Sequence, residues 1–146
     1  MDTNLVIYCG VTLLILYTLA EGIAPVPRVS VIDGCRLGYV YDGDTVELKC
    51  SDRTRTARLV GFDTPETKDP GCDAEKALGD RATVRLRQIV DGASISFQHE
   101  GHDKFGRELV HMSADGRDVG DTLISEGLAV RYDSGSRINW CKRLNG

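Results

Sequence analysis

The sequence predicts a mainly β, α+β domain with five short strands, a long helix between the third and fourth, and a short second helix. Three observations predict it. Short alternations of apolar and polar residues, bounded by Gly, Pro and Asp, recur from Val29 onward, which is the period of half-buried strands. Between Asp73 and about Val90 the period changes, and Leu78, Ala82, Leu86 and Ile89 fall on one stripe, as on a helix packed by one face. Asp42-Gly43 is a strong two-residue hairpin signal between the runs Arg36–Tyr41 and Asp44–Cys50.

Taken in order, the chain begins with an uncharged stretch, Leu5 to Ala20, closed by Glu21. As a helix it would reach roughly 24 Å, short of the about 30 Å hydrocarbon core of a bilayer. Residues 1–24 are therefore expected to be a hydrophobic leader, either a signal peptide of an exported protein or an uncleaved anchor through residues 5–20. The first cation is Arg28, on the far side of the stretch, so the basic flank usual before a signal peptide is missing. Residues 25–30, with Pro25-Val26-Pro27, read as a linker, and residues 31–146 as the domain.

Within the domain, Val29–Ile32 is a lead-in strand. The hairpin follows, with Val46 and Leu48 alternating against Glu47 and Lys49. Arg53–Phe62 makes the third strand and Thr64-Pro65-Glu66 ends it, because a residue before proline is held extended. After the long helix, Ala93–Gln98 and Arg107–Ser113 are two further strands. A shorter helix runs from Val119 to Gly127, where glycine can take the left-handed stop. Five strands with a helix after the third is the order of an OB-type barrel.

A chain of 146 residues with 41% hydrophobic and 27% charged residues is large and apolar enough for one stable core, which excludes disorder. Its net charge of −4 argues against a protein that coats nucleic acid. It leaves room for a local cationic pocket around one phosphate.

Cys9 lies in the leader, and Cys35, Cys50, Cys72 and Cys141 lie in the domain without a C-x-x-C pair, so a zinc site of thiolates is not expected. A two-residue hairpin loop pairs Tyr41 with Asp44, and stepping outward from that pair sets Cys35 opposite Cys50. Cross-strand Cα separations of about 4.5–5.5 Å suit a disulfide. Cys35–Cys50 is therefore expected, leaving Cys72–Cys141 to tie the tail to the middle of the chain. The alternative is four buried thiols.

Three segments carry chemistry: Asp42-Gly43-Asp44-Thr45, Arg58 through Glu66, and Asp103 through Arg107. Taken singly, they are a turn, a salt-bridged strand residue and an acidic helix cap. Together they meet the needs of phosphodiester cleavage. Carboxylates can hold a hard cation, a further carboxylate can activate water, and arginines can neutralise charge on phosphoryl oxygens.

Arg58-Leu59-Val60-Gly61-Phe62-Asp63-Thr64-Pro65-Glu66 followed by Asp103-Lys104-Phe105-Gly106-Arg107 resembles the signature of the staphylococcal nuclease family, and the likeness extends from about Val31 to Tyr132. The resemblance implies an OB barrel and calcium-dependent (Ca2+) hydrolysis of DNA and RNA to 5′-hydroxyl and 3′-phosphate ends. It further implies Asp44 and Asp63 as carboxylate ligands of calcium, the Thr64 carbonyl as a third, and Asp42 as a nearby acid. Glu66 matches the general base, and Arg58 and Arg107 match the phosphate-binding arginines. The chain departs from the pattern at Phe105, where the family often has Tyr, and in its short segment after Gly127, where Tyr132 could supply base stacking. A monomer is expected. The competing reading is a non-catalytic OB module that binds nucleic acid or a protein.

Of the remaining candidates, His99-x-x-His102 has a metal-like spacing. It falls in a Gly-rich connection with no third ligand in view, and His111 falls in a strand as a structural residue. Arg81, Arg85 and Arg87 read as a solvated helix face, and Trp140 as a residue packed on the domain.

Overall fold

The structure is a computed structural model that describes residues 11–12, 30–31 and 34–145. The leader of residues 1–24 and the linker of residues 25–30 lie outside the described residues, apart from 11, 12 and 30. Among the described residues no helix is long and apolar enough to cross a membrane.

The strands are β1 (Ser30–Val31), β2 (Cys35–Val40), β3 (Thr45–Cys50), β4 (Thr54–Leu59), β5 (Gly61–Asp63), β6 (Ile95–His102), β7 (Glu108–Ala114), β8 (Arg117–Asp118) and β9 (Val130–Tyr132). The helices are α1 (Asp73–Val90), α2 (Val119–Ser125) and α3 (Trp140–Asn145). The main sheet runs β1-β6-β7-β4-β3-β2, with β8 beside β7, while β5 and β9 form a separate pair. Strands β2, β3, β4, β6 and β7 are the five expected strands. Only β4 and β7 run parallel, and this curled sheet with α1 inserted before β6 is the OB-type barrel.

The core lies inside the curl. Val46, Leu48, Ala57, Leu59, Val110 and Met112 project inward from the strands and meet Ala82 and Leu86 of α1 and Leu123 of α2. Full burial of a Leu or Met side chain contributes about 1.5–3 kcal/mol. Helix α1 buries the expected stripe and lies against the loop after β5, because Gly79 brings it close. A Cβ there would sit 2.6 Å from the Pro65 carbonyl oxygen.

Three expectations need correction. The long third strand breaks at Val60 into β4 and β5, where Gly61 takes φ +89° and turns the chain so that Phe62 and Asp63 point into the domain. The hairpin turn is longer than a two-residue loop: Val40 rather than Tyr41 forms the last pair, opposite Val46, with residues 41–45 between them, and the register there is shifted by one residue from the expected one. A bulge then sets Gly38 and Tyr39 against Glu47 alone, which restores the register so that Cys35 pairs with Cys50 as expected. Third, β6 continues past Gln98 to His102, so both histidines lie in a strand.

Cys35–Cys50 and Cys72–Cys141 are disulfides, with Cα separations of 4.0 and 5.9 Å. Two disulfides in so small a domain point to an oxidising, extracytoplasmic setting.

Candidate active site

The site forms where the β2–β3 turn, the end of β4 and the segment after β5 converge. Asp44 precedes β3 and is buried, and its carbonyl accepts from Leu59 N at 2.8 Å. Thr45 pairs with Arg58 across the sheet, which brings the guanidinium back over Asp44. Gly43 permits the approach of the next segment, since a Cβ there would come within 2.8 Å of the Thr64 side chain.

Arg58 bridges two buried carboxylates. Its Nη1 donates to Asp44 Oδ1 and its Nη2 to Asp63 Oδ1 at 3.1 Å. Asp44 Oδ2 accepts from the Thr64 amide at 3.0 Å and from Thr64 Oγ1 at 2.8 Å. Asp42 Oδ1 accepts from the Asp44 amide at 3.1 Å. Burial pushes the Asp44 carboxyl up to about 6; Asp42 adds to the rise, while Arg58 and Thr64 oppose it. Around Arg58 stand three acids, with Asp44 and Asp63 bonded to it and Asp42 bonded to the Asp44 amide.

The tail supplies a second arginine that the sequence reading did not single out. Arg137 Nε donates to Asp63 Oδ1 at 2.5 Å, its Nη1 to Glu66 Oε1, and its Nη2 reaches the Thr64 carbonyl at 3.4 Å. Partial burial works against its charge, but Asp63 and Glu66 hold its guanidinium above the ordinary range. Trp140 is buried as expected, and its Nε1 donates to Asp63 Oδ2 at 3.0 Å. Glu75 of α1 completes the scaffold, accepting from the amides of Glu66 at 3.3 Å and Gly71 at 2.8 Å. One signal could have found these residues. Thr64 and Glu66 lie just before Cys72, and Arg137 and Trp140 just before Cys141, so the expected bridge brings the two segments together.

The structure therefore gathers Asp44, Arg58, Asp63, Thr64 and Glu66 into one cluster. Arg107 stands apart from it and is fixed by Asp103, whose Oδ2 accepts from its Nε at 2.7 Å. Arg58 and Arg107 share a cleft of about 590 Å³ that Phe105, His111, Tyr132 and Arg137 also line. Phe105 is 74% exposed, so its ring is open to a ligand at the rim. The Tyr132 hydroxyl donates to the Gly135 carbonyl at 2.7 Å, which leaves its ring as the part that faces the cleft.

Arg85 and Arg87, on the expected helix face, each find a partner: Arg85 grips Glu126 through two 2.7 Å bonds, and Arg87 donates to the Val40 carbonyl at 2.9 Å. His111 pairs with Glu100 at 2.6 Å.

The chain is 34% identical over 96 residues to SPbeta prophage-derived endonuclease YokF of Bacillus subtilis (strain 168), a match covering 64% of this chain and 32% of that protein. It is 34% identical over 96 residues to Endonuclease YncB of the same organism, covering 64% of this chain and 45% of that protein. An uncharacterized endonuclease of Escherichia coli O157:H7 is 30% identical over 99 residues, covering 67% and 60%. The chain thus matches less than two thirds of the length of each of these relatives. The family model described as staphylococcal nuclease homologue matches residues 56–142, which is more than half of the chain and takes in Arg58, Asp63, Glu66, Arg107 and the tail that bears Arg137. The chain belongs to the staphylococcal nuclease homologue family.

Proposed function

We propose that this chain is a calcium-dependent endonuclease that hydrolyses DNA and RNA to 5′-hydroxyl and 3′-phosphate ends. The observation that supports it most is the convergence of Asp44 and Asp63 on Arg58, and of Asp63, Glu66 and the Thr64 carbonyl on Arg137, beside a cleft shared with Arg107. The endonuclease names of the relatives agree with it.

The donors suit calcium. They are all hard oxygens, and burial disfavours the ionised form of Asp44, a cost that a bound cation would offset. Asp44, Asp63 and the Thr64 carbonyl would hold the ion, which when bound neutralises charge on the phosphate and polarises it. Arg58 and Arg107, which both line the cleft, offer guanidinium forks to the phosphoryl oxygens as charge grows there. Glu66 takes a proton from the attacking water. It does so after its bond to Arg137 opens, because Arg137 occupies the Oε1 that would accept the proton. The Arg137 side chain is 40% exposed, which leaves it room to swing from the acids toward the cleft. Phe105 and Tyr132 offer ring faces to bases at the rim.

On this reading the domain works outside the cytoplasm, either secreted or periplasmic, or anchored by residues 5–20 with the domain outside. The test is cleavage of single-stranded DNA by the oxidised protein, with calcium and then with excess chelator. Activity should require calcium and fall by roughly 10²–10⁴-fold in Glu66→Gln, as expected on losing a general base. Arg58→Ala should fail as well. Binding without cleavage by the intact protein would replace the enzyme with a binding module.

A further inference from the structure

A second cluster sits on the other face of β4, away from the acid centre. Its middle is Glu108, the first residue of β7, which pairs with Ala57 on one side and His102 on the other. Glu108 is 3% exposed. Arg55 Nη1 donates to its Oε1 at 3.0 Å, which fixes the carboxylate and turns Oε2 toward β6. There Oε2 lies 2.7 Å from His99 Nε2 and 3.0 Å from His102 Nε2.

Residues three apart on a regular strand point to opposite faces. His99 and His102 point to the same one because the β6–β7 register slips between His99 and Gly101, where Gly101 takes φ +140°. The bulge re-aims the second imidazole, and the two rings stand edge to face with centroids 5.2 Å apart. The buried His99 Nε2 carries a further sign. Although close to Oε2, it is not aligned to donate, and it has no hydrogen-bond partner.

We propose that His99, His102 and Glu108 form a site for a divalent transition metal of the zinc class, separate from the acid centre. Two imidazole nitrogens and one carboxylate oxygen are a donor set suited to zinc, usually completed by water. The three ligand atoms already lie within 4.8 Å of one another. A tetrahedral ion held at about 2.0–2.1 Å would space them by roughly 3.3 Å, against the present 2.7 and 3.0 Å from Glu108 Oε2, and the half-exposed His102 has room to adjust. A metal would use the lone pair that His99 Nε2 aims past the carboxylate. Arg55 would orient Glu108 from behind, in the manner of partners that hold metal ligands in place. Calcium, which prefers oxygen donors, would be rejected here.

The test is calorimetric titration of zinc into the full oxidised chain with calcium in excess, alongside absorption of the cobalt-substituted protein, whose visible bands report a tetrahedral site. One equivalent should bind. His102→Gln and His99→Gln should each weaken binding by at least about tenfold and abolish the cobalt bands, and Asp63→Asn should leave both unchanged. Absence of stoichiometric binding would overturn the site and leave a metal-free imidazole–carboxylate cluster. Binding lost in Asp63→Asn but kept in the histidine variants would overturn it as well, because the metal would then sit at the acid centre. Circular dichroism of each variant separates loss of ligand from loss of fold.

Discussion

Asp63 and Glu108 are built alike and placed differently. Both are buried carboxylates, each takes an arginine from β4, and each takes two further contacts from elsewhere. Arg58 and Arg55 are three residues apart on that strand and so leave it on opposite faces. Asp63 is completed by Arg137 and Trp140 of the tail, and stands beside Asp44, Asp42 and Glu66. Glu108 is completed by two imidazoles of a neighbouring strand and has no second acid against it in the cluster. The ion-pair motif is the same; the surrounding charge decides its use. A crowd of acids calls for a hard cation and tolerates an arginine in its place, whereas one acid between two imidazoles suits a softer ion or none.

The largest test of that contrast is functional. Asp63→Asn should lower nuclease activity by roughly 10²–10³-fold, the scale of losing a group that stabilises transition-state charge, while Glu108→Gln should retain most of it. Steady-state rates on one DNA substrate check both. Equal losses would mean that the two carboxylates serve one centre.

A second test separates how the two regions are held. The tail partners of Asp63 depend on Cys72–Cys141, which spans 69 residues, whereas Cys35–Cys50 spans 15 within a hairpin that the sheet already pairs. Loop-closure entropy assigns about 4 kcal/mol to the first and about 3 kcal/mol to the second. Urea unfolding should therefore show the larger loss for Cys72→Ser with Cys141→Ser. The chain has one tryptophan, so a change in native-state fluorescence should accompany that pair and be absent for Cys35→Ser with Cys50→Ser.

The smallest effect comes from a carboxylate that belongs to neither region. Arg85 hydrogen bonds hold Glu126 below its ordinary value of 4.5. A carboxyl depressed on folding adds stability above its unfolded pKa and loses it as pH falls through the folded one. Glu126→Gln should thus cost no more than about 1 kcal/mol at neutral pH, as for other exposed pairs. The cost should vanish on acidification below about pH 4.5; a cost that persists would point to packing instead.

What was legible in the sequence followed the range of the signal. Helix α1 appears at the expected residues because a one-sided apolar stripe is local information. The acids and Arg58 are adjacent to a turn or within one strand pair, so short motifs expose them. Arg137 and Trp140 reach Asp63 across 74 and 77 residues, and no local period encodes such a contact. The bulge in β6 was also hidden, since it breaks the alternation by which a strand is recognised. The hairpin shows a subtler case: an extra turn residue and a bulge cancel, so the cysteine pairing came out right although the turn did not.

Chain order gives the Arg137 contact a temporal meaning. Asp44, Arg58, Asp63 and Glu66 are all synthesised before it, and Cys72 has no partner until Cys141 follows. The acid centre therefore reaches its described form late, after translation has passed the tail and an oxidant has closed the bridge. Until then Asp63 and Glu66 lack their second arginine, and a nascent chain and a finished one present different charge at the same place.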